Sequence, residues 1–225
     1  MKKIIVLLLS LTLFLPLMAN NDKYTNYSLV GKKAPAINAK AVINDEIITI
    51  TPKSYKGYYT ILMFYPADFS FICPTELRAF QEKKKEFSKR NALIFGISID
   101  QVYSHKAWLN TPTDKQGVKG ITYPLISDVT KELSRAYGVL DDSGVAQRAL
   151  FIINPENIVQ AVIVTHDSIG RNVDEALRIL SAAQAAAESE GEMCPANWHK
   201  GDALISSKDT TLNKSKKGNS NGKNS

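Results

Sequence analysis

Three short runs in this chain are apolar without interruption: Ile61-Leu62-Met63-Phe64, Leu93-Ile94-Phe95 and Leu150-Phe151-Ile152-Ile153. A strand with one wet face alternates apolar and polar residues, so a run with no polar member is a central strand covered on both faces. Between these runs the period changes to that of a helix. From Glu76 to Arg90, Leu77, Phe80 and Phe87 share one side among lysines and glutamates. Thr130–Tyr137 is a second helical stretch, and Val173, Ala176, Leu177 and Leu180 open a third that runs to about Glu190. Ile47–Ile50 and Ile158–Val164 are further strand-like runs, and Asn154-Pro155-Glu156-Asn157 reads as a hairpin turn. Strands alternating with helices and then a hairpin predict an α/β fold: a mixed central sheet flanked by helices.

The ends are of another kind. Lys2 and Lys3 precede an apolar stretch, Ile4–Leu15, that Pro16 breaks and Ala19 follows. This is the pattern of a secretory signal over residues 1–19, too short for the roughly 20 residues that span a bilayer. It predicts an exported chain, periplasmic or secreted (or in the endoplasmic-reticulum lumen if eukaryotic), with no stable membrane insertion after cleavage. Residues 206–225 are almost wholly Ser, Lys, Asn, Gly and Thr, a composition that cannot bury enough surface to offset ordering entropy and predicts a disordered basic tail. The net charge of +6 belongs to these ends: residues 1–19 contribute +2 and 206–225 contribute +4, leaving 20–205 neutral. A nucleic-acid face needs Lys and Arg clustered on the folded part, so no nucleic-acid partner is expected.

Only two cysteines occur, and in an exported chain the default is a structural disulfide. Their settings are unlike, however. Cys73 follows a buried strand and a loop and precedes the amphipathic helix, with Pro74 suited to its first turn. Free backbone N–H groups and the positive end of the helix dipole then favour the thiolate, lowering a free pKa of about 8.5 into the roughly 3.5–7.5 range of such sites. A structural disulfide gains nothing from an activated sulfur, whereas a nucleophile needs it. Cys194 lies after the last long helix, in Glu192-Met193-Cys194-Pro195, where a second thiol on a movable segment suits a resolving partner. The two do not form a Cys-x-x-Cys pair, and two distant Cys with three scattered His make a poor metal set. His105 is expected to pack or cap on a helix.

Phe64-Tyr65-Pro66 through Cys73-Pro74-Thr75-Glu76 resembles the active-site loop of typical two-cysteine peroxiredoxins of the alkyl hydroperoxide reductase C type. Gly191-Glu192-Met193-Cys194-Pro195-Ala196-Asn197-Trp198 resembles that family's resolving-cysteine segment. Ser98-Ile99-Asp100 with His105-Lys106-Ala107-Trp108, Ser127–Arg135 and Gly170–Arg178 match others, so the likeness covers about Val30–Trp198. The resemblance implies a thioredoxin-like fold over residues 28–190, with a C-terminal arm, 191–205, carrying the resolving cysteine. It implies a thiol peroxidase acting on hydrogen peroxide and organic hydroperoxides without a cofactor. Cys73 would become a sulfenic acid and Cys194 of a second subunit would form an intersubunit disulfide with it, for a thioredoxin-like or flavoprotein reductant to break. Pro66 would shield the sulfur, Ser70 would offer a hydroxyl to the peroxide, and Arg148 would stabilise the thiolate and the leaving oxygen. Glu76 and Arg171 would orient Arg148. A homodimer, and a ring of five dimers, is the implied assembly. The chain departs from the family in Ser70, where Thr is common, and in Ala149, where Gly is usual. A holdase chaperone on the same fold is the rival from another class, but it needs no activated thiolate.

Overall fold

The computed structural model describes residues 28–206; the expected leader, 1–19, and all of the expected tail but Ser206 lie outside the described residues. Seven strands form one sheet: β1 (Ala39–Ile43), β2 (Glu46–Ile50), β3 (Tyr59–Phe64), β4 (Ala92–Ser98), β5 (Leu125–Ser127), β6 (Arg148–Ile153) and β7 (Val159–Thr165), in the order β2-β1-β5-β4-β3-β6-β7. The uninterrupted apolar runs are β3, β4 and β6, side by side at the centre, and every residue of β3 and β6 is buried. β3 runs parallel to β4 and antiparallel to β6, so the sheet is mixed. The turn at Asn154–Asn157 joins β6 to β7 as an antiparallel hairpin, with Asn157 at φ +64.

Among the described residues six α-helices flank the sheet: α1 (Pro52–Tyr55), α2 (Cys73–Glu82), α3 (Lys84–Ser88), α4 (Val102–Asn110), α5 (Glu132–Ala136) and α6 (Val173–Glu188). Alternation along the central strands sorts the core into two layers. Ile61, Met63, Leu150 and Ile152 meet Leu77, Phe80, Phe87, Trp108, Ala176 and Leu180 from α2, α3, α4 and α6. Leu62, Phe64, Phe95, Ile97, Phe151 and Ile153 meet Tyr55, Leu133 and Tyr137 on the other side. The expected helix over Glu76–Arg90 is two, because the chain turns at Lys83 (φ −91, ψ 2) and brings Phe87 into a stack on Phe80 with ring centroids 5.7 Å apart.

This topology decides where chemistry can sit. Phe64 ends β3 opposite Ala149, so Arg148, the first residue of β6, emerges where the chain leaves the sheet for the Tyr65–Ile72 loop and α2. Arg148 shares the parity of Leu150 and Ile152 and so faces the layer that holds α2 and α6. After α6 the chain turns back, and a two-stranded ribbon, β8 (Glu192–Met193) with β9 (Ile205–Ser206), closes the C-terminal arm. No helix among the described residues is long and apolar enough to cross a membrane.

Candidate active site

Cys73 is the first residue of α2 and is fully buried. Its free thiol lies 3.4 Å from Arg148 Nη1, which donates to the sulfur. The same nitrogen donates to Glu76 Oε2 at 2.5 Å, and Arg148 Nη2 donates to the Asp167 carbonyl at 3.0 Å. Arg148 Nε is buried without a hydrogen-bond partner. Glu76 stands one turn along α2 from Cys73, which puts carboxylate and sulfur on the same side of the helix. Its other oxygen accepts from the Arg171 backbone N–H and from Arg171 Nε, both at 2.7 Å, while Arg171 Nη2 reaches Oε2 at 3.0 Å. Arg171 Nη1 donates to the carbonyls of Phe64 and Ala149, tying the triad to the ends of β3 and β6.

The charges in this pocket do not balance without the sulfur. Arg148, Arg171 and Glu76 are 3%, 7% and 2% exposed, and two guanidinium groups against one carboxylate leave one positive charge buried. An unpaired buried charge is costly, and this one lies beside the Cys73 sulfur, where it can stabilise negative charge. Burial alone would lower the basicity of Arg148; the hydrogen bond to Cys73 and the charges of Glu76 and Cys73 outweigh that and hold its guanidinium more firmly protonated. Burial likewise pushes the Glu76 carboxyl up, yet the Arg171 hydrogen bonds and charge, with Arg148, bring it below its ordinary value.

The loop before Cys73 carries Pro66, half-buried, and Ser70, whose hydroxyl donates to the Ala67 carbonyl at 2.9 Å and so keeps its lone pairs free to accept. Phe69 between them adopts φ +56, a left-handed conformation that costs a non-glycine residue about 1 kcal/mol or more. Asp68 secures that loop. Its carboxylate accepts from Tyr65 Oη at 2.9 Å and Ser104 Oγ at 2.8 Å and faces His105 Nδ1 at 2.8 Å, and its N–H donates to Asp100 Oδ2 at 2.9 Å. His105 Nε2 meets the Ile126 carbonyl at 3.1 Å, so the ring lies buried on α4 between loop and sheet.

Of the residues singled out in the sequence, Cys73, Glu76, Arg148 and Arg171 are brought into direct contact, with Pro66 and Ser70 on the adjoining loop. Cys194 is not. It is a free thiol on the arm, lying against α6, where Sγ donates to the Ala182 carbonyl at 3.5 Å. The Asp68 cluster and the Asp167 carbonyl escaped sequence reasoning. Asp68 sits within the same loop as Tyr65, but its other carboxylate partners, Ser104 and His105, lie 36 and 37 positions away in a helix whose periodicity is weak. Among the described residues no group of three or more His, Cys, Asp or Glu is arranged to hold a metal.

Known proteins resemble this chain in sequence and in fold. The AhpC/TSA family pattern matches residues 30–162, and the pattern for the C-terminal domain of 1-Cys peroxiredoxin matches residues 182–218. The chain is 47% identical over 176 residues to 2-Cys peroxiredoxin BAS1, chloroplastic, of Arabidopsis thaliana, covering 77% of this chain and 66% of that one. It is 46% identical over 180 residues to peroxiredoxin tpx1 of Schizosaccharomyces pombe, 80% of this chain and 93% of the relative. The reduced 2-Cys peroxiredoxin of Plasmodium vivax superposes with a TM-score of 0.76 at 41% identity, covering 79% of this chain and 92% of that one. These relatives overturn one expectation, that of an exported, periplasmic or secreted protein. They include a chloroplastic protein and a fission-yeast one, and export rested only on the charge and hydropathy of residues 1–19, a pattern that is not by itself an address. With the family's pattern running from before β1 into β7 and taking in the buried cysteine, the chain belongs to the AhpC/TSA family, the peroxiredoxins.

Proposed function

We propose that the chain is a thiol-dependent peroxidase in which Cys73 reduces hydrogen peroxide and small organic hydroperoxides. The observation that carries this reading is the buried Arg148–Glu76–Arg171 triad with Arg148 Nη1 on the Cys73 sulfur. The Cys73 thiolate attacks one peroxide oxygen; an S–O bond forms, the O–O bond breaks, and the departing oxygen leaves as hydroxide or alkoxide and takes up a proton. Cys73 is then a sulfenic acid. Charge that develops on the departing oxygen falls beside a guanidinium that does not have to reorganise, and the unpartnered Arg148 Nε supplies a further donor. Ser70, its own proton engaged with Ala67, accepts from the peroxide O–H. Pro66 limits water on the loop side.

Cys194 of the partner subunit then resolves the sulfenic acid as an intersubunit disulfide, which a thioredoxin-like or flavoprotein dithiol reduces. A homodimer is therefore the working unit, and a ring of five dimers is its larger form. Residues 28–190 make the catalytic domain and 191–205 the arm that brings the second sulfur. The activity fits an antioxidant role in redox homeostasis.

The test is peroxide consumption by the full chain with thioredoxin-type and flavoprotein donors in turn. Wild type turns over with at least one of them, and Cys73→Ser does not. Peroxide-induced covalent dimers on non-reducing gels form in wild type and vanish in Cys194→Ser. An equal dimer yield in Cys194→Ser would refute the resolving role.

A further inference from the structure

The arm that carries Cys194 is fastened to its own chain along one face of α6. Arg178 and Ala182 are four residues apart on that helix and therefore neighbours on its surface. Arg178 Nη1 donates to the Trp198 carbonyl at 3.1 Å, and Cys194 Sγ donates to the Ala182 carbonyl at 3.5 Å. The rest of the guanidinium is gripped from behind: Nε and Nη2 donate to the two Glu175 oxygens, each at 2.7 Å. This planar fork leaves Nη1 aimed at the arm. Trp198 is buried, and its indole N–H donates to the Asp202 carbonyl at 3.0 Å, so the carbonyl that Arg178 holds belongs to an ordered turn. The Glu175 bonds and charge hold Arg178 more firmly protonated despite slight desolvation.

We propose that Arg178, held in place by Glu175, is a positioning residue that latches the Cys194 arm onto α6 and so sets how fast Cys194 reaches the Cys73 sulfenic acid. The inference rests on the reading of Cys194 as the resolving cysteine. In the latched arm the Cys194 S–H is a donor, and a thiol that donates its proton to a helix carbonyl is not the nucleophile; the thiolate is. Resolution requires the released thiolate to attack the Cys73 sulfur: the S–S bond forms, the S–O bond breaks, and hydroxide leaves and is protonated to water. The rate then follows the fraction of arms released. Arg178 contributes one charge-assisted, partly exposed hydrogen bond, so its removal raises that fraction about threefold to tenfold.

Rapid-quench measurement on the reduced full chain separates the two steps. Sulfenic acid appears in a peroxide-dependent phase and the disulfide in a peroxide-independent one. Arg178→Ala is expected to leave the first unchanged and speed the second about threefold to tenfold, with sulfinic acid on Cys73 appearing only at correspondingly higher peroxide. Arg178→Lys keeps a single donor for the Trp198 carbonyl and is expected to restore most of the wild-type rate, which general loosening of the fold would not do. Glu175→Gln, which loosens the guanidinium and also removes a weak attraction between the carboxylate and His199 of the arm, speeds disulfide formation less than Arg178→Ala, and it carries the test if Arg178→Ala does not fold. An unchanged or slower second phase in both Arg178→Ala and Glu175→Gln overturns the latch. Cys194→Ser separates the two readings: if it keeps the second phase, the resolving role itself is wrong. If it loses that phase while Arg178→Ala matches wild type, only the latch is wrong.

Discussion

Replacing Glu76 with Gln removes one charge and changes almost no volume, and the structure lets its cost be worked out. The carboxylate accepts four hydrogen bonds, from Arg148 Nη1 and from the Arg171 backbone N–H, Nε and Nη2. An amide oxygen in place of Oε1 keeps the two bonds from the Arg171 backbone and Nε. The amide nitrogen then faces Arg148 Nη1 and Arg171 Nη2, donor against donor. The two buried guanidinium groups lose the one carboxylate they share, and removing one partner of a buried ion pair costs about 3–5 kcal/mol. The lost hydrogen bonds belong to that figure rather than adding to it. The assay is urea unfolding of the reduced protein at fixed concentration, with the midpoint of Glu76→Gln falling while the slope stays that of wild type. A loss below about 1 kcal/mol, the range of a solvated surface pair, would refute the reasoning.

Two further outcomes follow from the same site. Arg148→Lys leaves one point charge where Nη1 and Nη2 together hold the Cys73 sulfur, Glu76 and the Asp167 carbonyl; the second-order rate of Cys73 oxidation, read by stopped flow, should fall about 10-fold to 100-fold without loss of fold. Because the folded Glu76 carboxyl titrates below its ordinary 4.5, its contribution to stability is complete above that value and is lost as pH falls through it toward the lower folded one. Wild type should therefore lose stability on acidification below pH 4.5 more steeply than Glu76→Gln, and equal acid limbs in the two proteins would contradict this.

The fold was legible where burial writes itself into a run of residues. β3, β4 and β6 each carry an uninterrupted apolar run because both of their faces are covered, and α6 shows its apolar stripe at Ala176, Leu177 and Leu180. β5 was not legible, since three residues between Pro124 and Asp128 carry no period. Nor was β1: its hairpin with β2 depends on Asn44 and Asp45 both at positive φ, a two-residue turn that their side chains allow but do not announce. The break at Lys83 was hidden because the apolar spacing continues across it into Phe87. Cys73 at a helix start could be read from Pro74 and the strand before it. What composition and local period could not show is the bonding that crosses the chain: Arg171 reaching Glu76 from 95 residues away, a grouping only the family resemblance implied, and Phe64 from 107, or Asp68 held by His105 on another element. Such contacts depend on which strand ends lie together, and that is a property of topology rather than of local period.

The most direct test of Cys73 as the peroxide-reducing sulfur is the site and stoichiometry of the first oxidation. Reduced Cys194→Ser is mixed with one equivalent of hydrogen peroxide per chain, and the product is mapped by mass spectrometry after trapping of sulfenic acid. The triad around Cys73 predicts complete consumption of the peroxide and a single trapped oxygen on Cys73. Peroxide left unconsumed, or oxygen found elsewhere while Cys73 remains a thiol, would contradict it.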